Sequence, residues 1–139
     1  MTTTALALLG YITWMVILLA ILAGLRTSLT LSGQRRANDF SPSGEDVSPF
    51  SHRLCRTHAN CYEHFPIFGG LMLLALATAT TQVTDGLALV LLAARVAQGL
   101  VHLWSTRNLA VLIRFHLFLV QYLIAIYWLY RFFRAWLGS

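Results

Sequence analysis

The chain has 139 residues, of which 58% are hydrophobic and 11% charged, where soluble domains run near ~25% charged. Its formal charge of +5 comes from ten basic residues that are all arginine, and none of them sits in a basic stretch clear of the apolar runs, which argues against nucleic acid as a partner. One domain's worth of chain with apolar runs long enough to cross the ~30 Å hydrocarbon core of a bilayer is the composition of an integral membrane protein.

In chain order, the first predicted span covers 5–25, Ala5 to Leu25, and is ended by Arg26. It lacks the positive n-region of a signal peptide and is too long for an h-region, so it is read as a retained span. Residues 26–50 form the one sizeable loop, and their Ser, Gly, Pro and charged content marks them as aqueous. The second span, about 54–81, is polar in its first turns and apolar from Phe65 onward. The third, 86–104, is opened by the turn signal Asp85-Gly86. The fourth, 109–133, ends in Arg131 and Arg134. The later connections are short, so consecutive spans are antiparallel neighbours. The expected fold is an all-α integral membrane protein, an antiparallel four-helix transmembrane bundle.

Arg26, Arg35, Arg36, Arg53, Arg56 and Arg107 share the side of the first and third loops, while Arg131 and Arg134 share that of the termini. The positive-inside rule then places those loops in the cytoplasm and both termini outside. Trp14, Trp104, Trp128, Trp136 and the tyrosines from Tyr122 to Tyr130 read as interfacial anchors. Cys55 and Cys61, six apart, fall on different faces of a helix and cannot bridge each other. No metal-ligand spacing is visible.

The informative stretch is "RTHANCYEHFPIF", residues 56–68, because polar groups open an otherwise apolar span. Arg56, Asn60 and Glu63 lie at i, i+4 and i+7, on one helical face, with Arg53 one turn before. Such groups are costly in lipid and must meet protein, water or a ligand. One reading is an internal ion pair, Arg56 or Arg53 with Glu63. The other is a site for a small zwitterion, Arg56 on its carboxylate and Glu63 on its ammonium group. Pro66 frees a backbone carbonyl and can kink the helix to open a cleft. A second stripe, Arg95, Gln98 and His102, has Glu63 as the simplest partner for its arginine. His102 taken alone reads as an interhelical hydrogen bonder. Arg107 and Arg114, seven apart, suggest a third face that Gln121 continues. Either arginine could be a loop or snorkelling charge, or the cation at the mouth of a cleft.

The stretch resembles the signature of the MAPEG family, the membrane-associated proteins of eicosanoid and glutathione metabolism, through Arg56, Asn60, Glu63, Pro66 and Phe68. "ARVAQGLVH" resembles the family's third-helix segment, and the resemblance covers essentially the whole chain. It implies a homotrimer that binds glutathione between subunits, open to the cytoplasm, and, for a bacterial member, a place in the inner membrane. Carried over by position, it implies glutathione contacts from Arg56, Asn60, Glu63, His64, Arg95, Gln98 and His102. Arg26, Arg35 or Arg36 would add a cation from the first helix. The family's thiol-activating arginine, near the start of the fourth helix, falls at Leu109 or Val111 here. That leaves Arg107, then Arg114, for the catalytic role.

Two functional expectations follow. One is a glutathione-dependent transferase or peroxidase acting on hydrophobic electrophiles or lipid hydroperoxides from the bilayer. The other is a non-enzymatic trimer that binds lipid or a partner protein in the same groove.

Overall fold

The computed structural model describes residues 1–138. Four helices follow in order: α1 (Thr3–Leu31), α2 (Pro49–Ala77), α3 (Asp85–Trp104) and α4 (Asn108–Leu137), with one 3-10 turn, Thr81–Val83, before α3. No strand occurs among the described residues. α3 packs against each of the other helices, α1 lies against α2 and α3, and α4 leans on α3 and touches α2 more lightly.

The helices run past the apolar segments at the loop end. α1 continues beyond Arg26 to Leu31, and the hydroxyls of Ser28 and Thr30 donate back to the carbonyls of Leu25 and Arg26. It stops at Gly33, whose φ of +74° lets its own N–H reach the Thr30 carbonyl and that of Gln34 the Leu29 carbonyl. This pair of bonds is the Schellman closure that a glycine makes possible. α2 begins early because Ser48 caps it, accepting from the Ser51 amide at 3.0 Å, and Pro49 fits the first helical position. The expected loop of 26–50 is therefore residues 32–48. α2 runs unbroken through Pro66.

α1, α3 and α4 are long and apolar enough to cross a membrane. α2 is not among these three because its first half is polar, and Asn60, Glu63, His64 and Pro66 lower the hydropathy even of its more apolar half. It nonetheless runs beside α1, from Arg26 Nη2 at 3.8 Å from Cys55 Sγ to the Tyr11 hydroxyl donating to the Cys61 carbonyl at 2.9 Å. Outward faces of α1 and α4 expose Ile12, Val16 and Leu19, and Leu112, Phe115 and Leu123, as expected for lipid contact. The larger core cluster, including Tyr11, Phe68, Met72, Leu91, Trp128 and Phe132, fills the middle and the end with the termini. That end is tied by Thr4, whose amide and hydroxyl both donate to Asp85 Oδ1 at 2.8 and 2.7 Å.

Candidate functional site

The polar stripe of α2 straddles the border of its buried face. Asn60 turns inward and is half-buried, while Arg56 and Glu63 are exposed on the surface of the chain. The ion pairs found among the described residues are Arg35–Asp46 and His52–Glu45. The ion-pair reading, Arg56 or Arg53 with Glu63, is therefore not met within the chain. Arg53 instead donates from Nε to the Leu103 carbonyl at 2.8 Å, satisfying the C-terminal end of α3.

Arg95 does not pair with Glu63 either. It is only 1% exposed, with its guanidinium carbon 5.6 Å from the Tyr11 ring centre and 5.3 Å from that of Phe68. Its Nη1 donates to Asn60 Oδ1 at 2.7 Å, and its Nε and Nη2 are sealed from water without a hydrogen-bond partner. Gln98 is also buried, and its Oε1 accepts from Gln121 Nε2 at 3.0 Å. Two of the three residues in the α3 stripe are thus engaged in links between helices. Tyr11 and Phe68 complete the setting of Arg95. The sequence reading gave neither that role, although a tyrosine within an apolar span was the available signal for Tyr11.

The third stripe residue, His102, stays half-buried and lies within electrostatic reach of Arg114, Arg56, His52 and Arg53. The structure therefore gathers cations from α2 and α4 around the loop end of α3. Arg114 is half-buried there, and its Nε is sealed from water without a hydrogen-bond partner. Arg107 is placed differently. It is the N-cap of α4 with an extended backbone (φ −64°, ψ 158°), so the seven-residue helical spacing does not bring it onto the face of Arg114. Its exposed side chain lines a cavity of about 450 Å³ on the α3–α4 seam with Val101, Trp104 and Ile113. His64 fills the α2–α4 seam. Its Nδ1 lies 2.7 Å from the Asn60 carbonyl, and its ring stands 5.3 Å from that of Phe118.

The loop arginines separate as well. Arg35 is neutralised by Asp46 at 2.6 Å and also donates to that residue's carbonyl. Desolvation alone would raise the Asp46 pKa, but backbone N–H donors, Ser41 first, and then Arg35 outweigh it and hold the carboxyl below its ordinary value. Arg26 donates to the Ser41 carbonyl at 3.3 Å and stacks over Phe40 at 5.5 Å. Arg36 is exposed.

A family model described as MAPEG matches residues 4–134 of this chain. The chain belongs to the MAPEG family. No curated protein and no solved structure matches it. Membership makes this a membrane protein of glutathione-related or lipid metabolism at the level of the family. In this MAPEG chain the signature residues Arg56, Asn60 and Glu63 follow one another along α2, and neither Arg56 nor Glu63 forms an ion pair among the described residues. A surface with that charge pattern can receive a molecule carrying both carboxylates and an ammonium group.

Proposed function

We propose that the chain assembles as a homotrimer and binds glutathione where the α2 stripe of one subunit faces its neighbour. The site opens on the arginine-rich side, which the positive-inside rule makes cytoplasmic, with the termini outside. Support comes first from Arg56 and Glu63, which are unpaired on a surface otherwise flanked by exposed apolar groups such as Ile67. Charged groups at such a depth call for protein or ligand partners. Glutathione fits the donor set. Its carboxylates suit Arg56 and the free amide N–H of Asn60, and its ammonium group suits Glu63.

Arg114 carries the catalytic reading. A guanidinium with a sealed, unpartnered Nε, among the cations around His102, favours the charged form of a thiol brought beside it. The thiolate sulfur then bonds to the electrophilic carbon of an apolar cosubstrate arriving from the bilayer, either adding across a conjugated double bond, whose other end takes up the thiol's proton, or displacing a leaving group that departs with its electron pair and takes that proton. With a lipid hydroperoxide, it takes the terminal oxygen, and a second glutathione completes the reduction to disulfide, alcohol and water. Arg107, exposed where α3 and α4 meet, is the other candidate, and the test below separates the two.

The test is the near-ultraviolet thiolate absorbance on mixing detergent-purified protein with glutathione. Wild type and Arg107→Ala should show the band, and Arg114→Ala should lose it. A folded wild type without the band removes the enzyme reading. A second reading, a non-enzymatic trimer that binds lipid or a partner protein in the same groove, draws on the Gln98–Gln121 and Arg95–Asn60 bonds, which hold helices together as polar glue would.

A further inference from the structure

We infer that Arg95 is a positioning residue, which fixes the orientation of the Asn60 amide and does not touch the ligand. The inference rests on the glutathione reading above and deepens it. Arginine has donors only, so the amide oxygen is the one end of Asn60 that can face it. The observed bond, Nη1 to Oδ1 at 2.7 Å, has the length of a charge-assisted contact. Asn60 Nδ2 is then turned away from Arg95, and Asn60 itself stands on α2 between Arg56, one turn before, and Glu63, one turn after. The cleft is thereby given a cation, a donor and a carboxylate in a fixed order along α2.

Arg95 cannot deliver this donor itself. At 1% exposure, between the rings of Tyr11 and Phe68, its guanidinium lies behind Asn60 within the subunit. The two rings stabilise the cation and restrict its plane. An amide released from Arg95 could flip and also leave its rotamer, so the outward N–H would be presented for only a fraction of the time and binding would weaken by the inverse of that fraction. The buried cation is thus coupled to the site through one amide.

A double-mutant cycle on the full chain in detergent tests this, with glutathione as the titrant and binding and melting temperature as paired readouts. Asn60→Ala should weaken binding about tenfold, the typical loss of a hydrogen bond to a charged group. Arg95→Met should weaken it several-fold, and the double variant should bind no worse than Asn60→Ala. Losses that multiply show that Arg95 acts on the ligand directly and overturn the inference. Should Arg95→Met fail to fold, Asn60→Asp replaces it. Its carboxylate pairs with Arg95, so the melting temperature is held or raised, yet the outward donor is gone and binding falls about tenfold. Undiminished binding by Asn60→Asp overturns the inference. If wild type takes up no glutathione, the functional reading fails by itself. The melting temperatures of the same cycle then decide the positioning: coupling retains the Arg95–Asn60 link, and additivity removes it.

Discussion

The two ends of the bundle are built on opposite principles. At the end with the termini, α1 is laced to α3 by Thr4, Thr84 and Asp85 above the larger core cluster. At the loop end the buried apolar cluster shrinks to Leu18, Leu54 and Cys61, and cations from α2 and α4 surround His102. Like charges brought together repel, so this end is held by what surrounds it and is receptive to an anion. The packed end supplies the rigidity against which the polar end can remain unsatisfied.

This contrast predicts its own largest effect. Trp128 is fully buried in the larger cluster, and Trp128→Ala should cost about 3–5 kcal/mol of stability. Leu54 is equally buried, but its smaller cluster can collapse around the gap, so Leu54→Ala should cost about 2 kcal/mol. Unfolding in mixed detergent measures both. Equal costs would erase the difference between the ends.

The segment over residues 32–48 offers the next test. Gly44 has a φ of +70°, and a Cβ there would stand 2.7 Å from both Cys55 Sγ and Ser51 Oγ. Gly44→Ala should therefore lift the segment off α2 at a cost of about 2 kcal/mol. Faster proteolysis within residues 36–47, with the helices intact, is the expected signature. Unchanged proteolysis would mean that the segment does not depend on this close approach.

Much of this architecture is readable in the residues, and the exceptions share a cause. Four helices, their order and the outward polar stripe follow from apolar runs and from spacing. Gly33 and Ser48-Pro49 also carried legible stop and start signals, overshadowed by the charge of Arg26 and Arg53 that the eye takes for span ends. Spacing places Arg56, Asn60 and Glu63 on one face only to within about 60° at 100° per residue. The boundary of the buried face passes through that arc, so which of them turns inward depends on tertiary packing. The choice of Asn60 over Glu63 by Arg95, and of Gln121 by Gln98, is likewise set by distances between helices. Arg107 separates from Arg114 because a capping residue is not helical, a boundary of one residue that periodicity does not resolve.

Between the ends, Glu63 distinguishes a binding residue from a structural one. It is exposed and makes no ion pair among the described residues. Glu63→Gln should leave the melting temperature within about 1 °C, since exposed unpaired groups change stability little. The same change should weaken glutathione binding about tenfold through loss of the ammonium partner. A large fall in melting temperature would instead place Glu63 in an ion pair between subunits and favour the non-enzymatic reading.

The smallest effect belongs to the charged clasp of the segment. Asp46 accepts from Arg35 and from the Ser41 amide, and its carboxyl is held below the ordinary value of 3.8. A carboxylate with a lowered folded-state pKa adds stability that is full above the unfolded pKa and is lost as pH falls through the folded one. The segment should accordingly keep constant protection at neutral pH and down to about pH 4, then open below it. Because the clasp is exposed, the change should be slight and should shrink further in salt. Amide exchange of residues 36–47 against pH measures it, and Asp46→Asn should flatten the acid limb without altering exchange in α3. An acid limb that survives the substitution would show that the opening does not depend on the Asp46 clasp.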